Sequence, residues 1–328
     1  MTKNNSLSDR INSVKDMTFE SVAIDLFHHQ YQHNRVYQHY VNILGREPQN
    51  VTQLCDIPFL PISLFKKFDV KTGEWLEETV FESSGTTGSV NSKHLVRNES
   101  SYIAGCLETF EAMYGPLGQY QLLALLPSYL ERGNSGLVSM VNAFVSRAKD
   151  GSGFYLNEYQ ELYDQLQKAK EIGISTILWG VTFALLDFIE AFEIQFPELI
   201  VMETGGMKGR REEMIRADVH SLLKSAFGVK EIHSEYGMTE LFSQAYSKGG
   251  GIFSPSRIMK VMARDLNDPF NYPLVQRTGG LNIIDLANYN TCAFIETQDM
   301  GRVYENGTFE VLGRVDNSEM RGCNLMIV

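Results

Sequence analysis

The sequence predicts an α/β protein built on a mostly parallel sheet, followed by a β-rich subdomain. Two observations carry the prediction. From about residue 100 to residue 236, short apolar runs alternate with longer amphipathic stretches, the rhythm of strand–helix–strand units in a parallel sheet. After Tyr236 the long helical patterns stop, and short β-rich runs separated by Gly, Asn and Asp turns replace them. With 328 residues, 43% of them hydrophobic and 21% charged, the chain is long enough for a large core and ordinary in composition. That excludes a small stapled module and extensive disorder.

Taken in order, Phe19, Val22, Leu26, Tyr37, Tyr40, Val41 and Leu44 recur near helical spacing and stop at Gly45, which predicts a helical N-terminal segment over residues 1–75. Pro58 and Pro61 bias the residues before them away from helix, so they punctuate a connection. A strand is expected at 78–82, then helix 102–113, strand 121–126, helix 137–148, strand 174–179, helix 183–194 and strand 199–203. A helix over 211–227 presents Met214, Val219, Leu222, Leu223 and Phe227, and a strand over 229–233 follows it. These elements make residues 76–250 an α/β core. Short strands are expected at 241–246, 258–262, 292–296 and 309–312, and residues 251–328 form the β-rich subdomain.

Composition narrows the function. Forty acidic residues against 29 basic give a net charge of −11 with no run of five or six Lys or Arg, which argues against nucleic acid as a partner. Cys55, Cys106, Cys292 and Cys323 are far apart with no CxxC, so they read as reduced thiols of a cytoplasmic protein. The most apolar stretch, 174–192, is interrupted by Asp187 and Glu190, too early for a membrane span. His29 and His33 have the i, i+4 spacing of a metal pair but no evident third ligand, so they read as a solvated or partner-facing helix surface. No GxSxG, HExxH or GxGxxG occurs, which removes the commonest serine-hydrolase, zinc-protease and dinucleotide readings.

Three segments carry chemistry. Phe81 to Ser89 reads FESSGTTGS, a hydroxyl- and glycine-rich loop directly after a strand, which taken alone is either a polar surface turn or a nest whose N–H and O–H donors suit phosphate oxygens; it is not a Walker A loop. Glu203-Thr204-Gly205-Gly206 places paired glycines at another strand end, where open α/β sheets bind ligands. His233 to Glu240, HSEYGMTE, combines an aromatic ring, a hydroxyl and a carboxylate, groups able to stack a base, touch a phosphate and hold Mg²⁺. Trp179, after a further strand, would either wall an acyl pocket or pack in the core.

With Thr297-Gln298-Asp299 and the GRVD of Gly313 to Asp316, these segments occur in the order of the adenylate-forming (acyl-CoA synthetase-like) superfamily. Within it, Leu126 to Arg132 (LPSYLER) and Ser318 to Leu325 (SEMRGCNL) resemble the LuxE-type acyl-protein synthetases. The resemblance implies a large adenylate-forming domain with ATP and Mg²⁺ as cofactors. Ser83, Ser84, Gly85, Thr86, Thr87 and Gly88 would embrace the phosphates, Gly205 and Gly206 would line the adenine slot with Tyr236 on the base, and Gly237 would belong to the same nucleotide site. Thr239 would touch the α-phosphate, Glu240 hold the metal, and Asp299 and Arg314 grip the ribose. Cys323, locally a small hydrophobe of a final strand, would by resemblance carry the acyl group as a thioester, with Arg321 lowering its pKa.

The departures matter too. Lys93 comes five residues after Gly88, where the superfamily places a lysine sooner, and Gln298 replaces the usual glycine. Typical members continue beyond the GR-x-D motif into a small C-terminal domain bearing a catalytic lysine, which this sequence, ending at Val328, is expected to lack. The implied activity is ATP-dependent conversion of a fatty or other carboxylic acid to acyl-adenylate, then transfer to a protein cysteine, with a reductase or acyltransferase as acyl partner. The alternatives are a ligase of the phenylacetate-CoA ligase type and a non-catalytic nucleotide-binding subunit.

Overall fold

Asn34 divides the N-terminal helical pattern in two. Its side chain accepts from the Tyr37 backbone N–H at 3.0 Å, so it closes one helix and caps the next. The computed structural model describes residues 6–83, 91–127, 134–206, 211, 214–272 and 276–314. Its N-terminal helices are α1 (Leu7–Asn12), α2 (Asp16–His33) and α3 (Arg35–Ile43). A short strand β1 (Leu60–Pro61) follows, then a hairpin of β2 (Thr79–Glu82) and β3 (Lys93–Val96).

The expected α/β rhythm then appears, with β5 and α6 added to it: α4 (Glu99–Tyr114), β4 (Gln121–Leu125), α5 (Gly136–Val145), β5 (Gly153–Tyr155), α6 (Tyr159–Ile172), β6 (Thr176–Val181), α7 (Thr182–Ala191), β7 (Ile200–Thr204), α8 (Arg216–Phe227) and β8 (His233–Tyr236). Strands β5, β4, β6, β7 and β8 lie side by side in parallel. Strands β4 and β6 are buried at every position, as expected where helices cover both faces of a sheet.

Beyond β8 the sheet continues in antiparallel pairs. Strand β9 (Ala245–Ser247) pairs with β8 and with β10 (Ile252–Pro255). The order then runs through β14 (Phe309–Arg314), β13 (Phe294–Val303), β12 (Gly279–Asp285) and β11 (Met259–Arg264), while β1 pairs with β13 in parallel.

Two apolar cores fill this frame. One lies among α4 to α8 and β4 to β9. The other unites the N-terminal helices with the strands after β8: Leu26, Phe27, Tyr37 and Phe65 share it with Ile283, Phe294 and Phe309. The helical segment read as a unit of its own is thus packed on the β-rich part, far away in sequence.

Local differences have local causes. Helix α6 has no counterpart in the expected elements, although Leu162, Leu166 and Ala169 mark one buried stripe in an otherwise polar stretch. Helix α8 begins at Arg216 and buries Val219, His220, Leu223 and Phe227; Met214 precedes it, and Met214 and Leu222 stay exposed. Strand β8 starts at His233, because residues 229–232 carry the chain from the left-handed Gly228 at the end of α8 back to the sheet. The run 241–246 is apolar because a loop is buried there, and only its last two residues enter β9. Among the described residues no helix is long and apolar enough to cross a membrane.

Candidate functional site

The hydroxyl-rich loop springs from the β2–β3 hairpin. Ser83 closes that hairpin: its N–H donates to the Ser92 carbonyl at 3.0 Å, and the Ser92 N–H donates to Ser83 Oγ at 2.9 Å. Ser84, Gly85, Thr86, Thr87 and Gly88 lie outside the described residues, as does Cys323. Lys93 is exposed and stands opposite Glu82 in the hairpin.

The other two motifs meet at the carboxyl ends of β7 and β8, where parallel sheets place their ligands. Gly205 turns the chain with φ +75°, a conformation that glycine adopts without a Cβ clash. Beneath that turn Glu203 is buried; Thr182 donates to its carboxylate, and His220 Nε2 stands 3.8 Å away. Burial opposes the charge of Glu203, yet His220, Thr182 and Arg216 together hold its carboxyl below the ordinary value. Glu235, on β8, receives a 2.5 Å hydrogen bond from Thr204, and burial pushes it the other way, up to about 7. A Cβ at Gly237 would lie 2.5 Å from Glu235 Oε1, so a larger residue there would have to move the end of that side chain.

The loop after Gly237 is fastened by its backbone. The Thr239 carbonyl accepts from His94 Nδ1 at 2.8 Å and the Glu240 carbonyl from Asn288 Nδ2 at 2.8 Å. Asp285 accepts from the Phe242 and Ser243 amides at 2.8 and 2.9 Å and from Ser243 Oγ at 2.6 Å. These anchors turn Glu240 inward, where it is 6% exposed. Burial raises its carboxyl above the ordinary range, against the opposing pull of the Ser92 hydroxyl, its own backbone N–H, Arg314 and Lys66. Ser92 thus links the hairpin at Ser83 to Glu240.

Tyr236, one strand end away, lies with its ring against Phe253 and Phe309 at 5.8 and 5.3 Å between centroids. Its hydroxyl donates to Asp299 Oδ2 at 2.8 Å, while Arg314 Nε stands 3.5 Å from Asp299 Oδ1. Register aligns that pair, since Asp299 on β13 lies directly opposite Arg314 on β14. The Arg314 side chain is 80% exposed, so it borders open space. A hydrogen bond and an ion pair thus join Tyr236, Asp299 and Arg314, Glu240 lies within electrostatic reach of Arg314, and Gly205 and Gly206 sit at the adjoining strand end. Trp179 is fully buried against Phe110, Phe144 and Tyr246, so it belongs to the core.

Carboxylate and hydroxyl oxygens around Glu240 suit a hard cation such as Mg²⁺. Among the described residues no group of three or more His, Cys, Asp or Glu stands together, so Glu240 would hold such a cation with waters or phosphate oxygens. Sequence reasoning missed His94, Asp285 and Asn288. They belong to no motif, and their only signal was the presence of polar residues within apolar runs.

Comparison with known proteins decides the family resemblance. The family described as acyl-protein synthetase, LuxE, matches residues 9–104. The LuxE resemblance holds. A long-chain-fatty-acid–luciferin-component ligase of Photorhabdus luminescens is 37% identical over 70 residues, 21% of this chain and 60% of that protein. Among solved structures, 2-hydroxyisobutyryl-CoA ligase in complex with 2-HIB-AMP gives a TM-score of 0.69 at 11% identity, over 94% of this chain and 70% of that one. ATP-bound MatB from Rhodopseudomonas palustris gives 0.54 at 16% identity, over 72% of this chain and 47% of that one. The chain thus spans about half the length of MatB and shares its fold. The LuxE match covers the N-terminal helices and the β2–β3 hairpin; the structural likeness extends over nearly the whole chain.

Proposed function

We propose that this chain is an ATP-dependent acyl-protein synthetase. A fatty or related carboxylate attacks the α-phosphorus of ATP, the bond to the bridging oxygen breaks, and pyrophosphate leaves with its electron pair, giving acyl-adenylate. A cysteine thiolate, that of Cys323, then attacks the acyl carbon and AMP departs, leaving an acyl thioester for a partner reductase or acyltransferase. Splitting the transfer this way replaces one difficult step by two easier ones.

The observation that carries the reading is the Tyr236–Asp299–Arg314 contact chain between strands distant in sequence, with the buried Glu240 carboxyl feeling the Arg314 charge. The LuxE match and the fold shared with ligases holding ATP or an acyl-adenylate support it. Each residue then has a task. Ser83 to Gly88 donate to phosphate oxygens; Gly205, Gly206 and Gly237 leave room for adenine beside Tyr236. Asp299, whose carboxylate keeps free lone pairs after accepting from Tyr236, takes the ribose hydroxyls, and Arg314 closes over them. Thr239 orients the α-phosphate. Mg²⁺ held by Glu240 would neutralise charge on the departing pyrophosphate.

The deciding measurement is intact mass after incubation with Mg²⁺-ATP and mixed fatty acids, beside Cys323→Ser. An ATP-dependent adduct that hydroxylamine removes and the variant lacks establishes the synthetase and identifies its acid. An adduct in both proteins moves the nucleophile elsewhere. Pyrophosphate release without an adduct favours a soluble thiol acceptor, the reading suggested by the likeness to 2-hydroxyisobutyryl-CoA ligase with bound CoA. Neither product points to a nucleotide-binding subunit.

A further inference from the structure

The motifs leave unexplained a set of buried polar residues in the first hundred positions. Gln30, Asn34, Thr72 and His94 are at most 5% exposed, and all four lie in the stretch that matches LuxE. Their hydrogen bonds converge on residues 288–293, the approach to the strand that carries Asp299. Gln30 Nε2 donates to the carbonyls of Asn288 and Thr291 at 3.0 and 3.2 Å, and its Oε1 accepts from Ala293 N at 2.9 Å. Asn34 Nδ2 and Thr72 Oγ1 donate to the Thr291 carbonyl at 2.8 and 2.5 Å. Thr291 Oγ1 meets His94 Nε2 at 2.9 Å, and His94 Nδ1 meets the Thr239 carbonyl at 2.8 Å.

The chemistry of the partners fixes the ring. A carbonyl only accepts, so Nδ1 carries a proton; the neutral buried ring then offers Nε2 as acceptor to the Thr291 hydroxyl. Phe242 covers the imidazole at 4.5 Å between centroids and Phe65 meets it edge-on at 5.8 Å. Two directed hydrogen bonds and two aromatic walls leave His94 one orientation.

We propose that His94 is a positioning residue for acid activation. It holds the Thr239–Glu240 turn through the Thr239 carbonyl, and Gln30 of α2, the cap residue Asn34 and Thr72 hold Thr291, its other partner. Residues of the N-terminal segment are thereby tied, through Thr291 and His94, to the geometry of that turn. The proposal rests on the acyl-adenylate reading, in which a displacement of about 1 Å at Thr239 or Glu240 costs up to about 100-fold in rate.

Three variants test it by acid-dependent ATP–pyrophosphate exchange, amide hydrogen exchange over 238–243 and thermal midpoint. His94→Phe keeps the aromatic stacking and loses both hydrogen bonds. Its kcat should fall about 10- to 100-fold with KM for ATP within about threefold, and amide exchange should quicken at 238–243 alone. His94→Asn, which places an N–H near the Nδ1 position, should recover most of that loss. Thr291→Val should weaken kcat in the same direction and decides the matter if His94→Phe does not fold. Wild-type kcat and amide exchange in His94→Phe would overturn the proposal, as would an Asn variant no better than Phe. If the wild type shows no pyrophosphate exchange with any acid, the acyl-adenylate reading fails, while amide exchange at 238–243 still decides whether His94 holds the turn.

Discussion

A buried carboxyl group either finds charge partners or stays neutral, and neighbouring strands here show both outcomes. Glu203 has His220 and Arg216 beside it, whereas Glu235 has one hydroxyl donor and the repulsion of Glu203. With its folded value near 7 and an ordinary value of 4.5, Glu235 keeps a proton that the unfolded chain releases. Its stabilising contribution is therefore complete below pH 4.5 and lost as pH rises through about 7, by about 3 kcal/mol at most. Glu235→Gln keeps an acceptor for Thr204 and cannot ionise. Its thermal midpoint should exceed that of the wild type by several degrees at pH 8 and match it at pH 5; equal pH slopes in the two proteins would contradict this. Glu240 invites the parallel substitution with the opposite functional result. Glu240→Gln should leave the thermal midpoint unchanged or raised, since burial already disfavours the charge, yet lower acid-dependent pyrophosphate release by about 100-fold or more.

Between strands β13 and β14 the register shifts at Met300 and Gly301, and this irregularity leaves Asp299 facing Arg314. Glycine is required there, because a Cβ on Gly301 would lie 2.0 Å from the Glu310 carbonyl oxygen, a backbone atom that cannot swing away. Gly301→Ala should therefore cost about 1–3 kcal/mol in urea denaturation and weaken Mg²⁺-ATP binding measured by calorimetry, because the Asp299–Arg314 pair moves with the strand. A variant with an unchanged urea midpoint would mean that the bulge yields freely. Elements of this kind were the least legible from sequence. Strand β12 begins with two glycines and carries Asn282 at its centre, so it lacks the apolar run that identified β4 and β6. The stretch 241–246 is buried throughout yet mostly loop, because Asp285, from an element far away in sequence, takes the backbone N–H groups of Phe242 and Ser243. Local periodicity registers burial, and it cannot tell what does the burying.

The same limit operates on the whole chain. The motif order was readable, and with it the members of the candidate site, because each motif is contiguous. Their union through Ser92 and the Tyr236–Asp299–Arg314 chain was not, nor was the packing of the N-terminal helices against the strands after β8, since such contacts leave no local pattern. These contacts bear on how the protein unfolds. The two cores meet at β10, which pairs with β9 and with β14 through two residue pairs each, a joint too narrow to couple them by itself. Buried hydrogen bonds cross the same divide, from His94 to Thr239 and Thr291 and from Asp285 to Phe242 and Ser243. Opening either core alone would strand these groups without partners, at about 1–3 kcal/mol each, so the cores should unfold together. The two tryptophans report on them separately: Trp179 is buried in the first, and Trp75 donates to the carbonyl of Thr72, whose N–H donates to Asn290 beside the second. In urea, Trp75→Phe and Trp179→Phe proteins should each show one fluorescence transition that coincides with loss of far-ultraviolet circular dichroism. If the Trp75 signal were lost at clearly lower urea than that of Trp179, the polar crossing would be too weak to join the cores, and the N-terminal helices would detach with the β-rich strands as a separate unit.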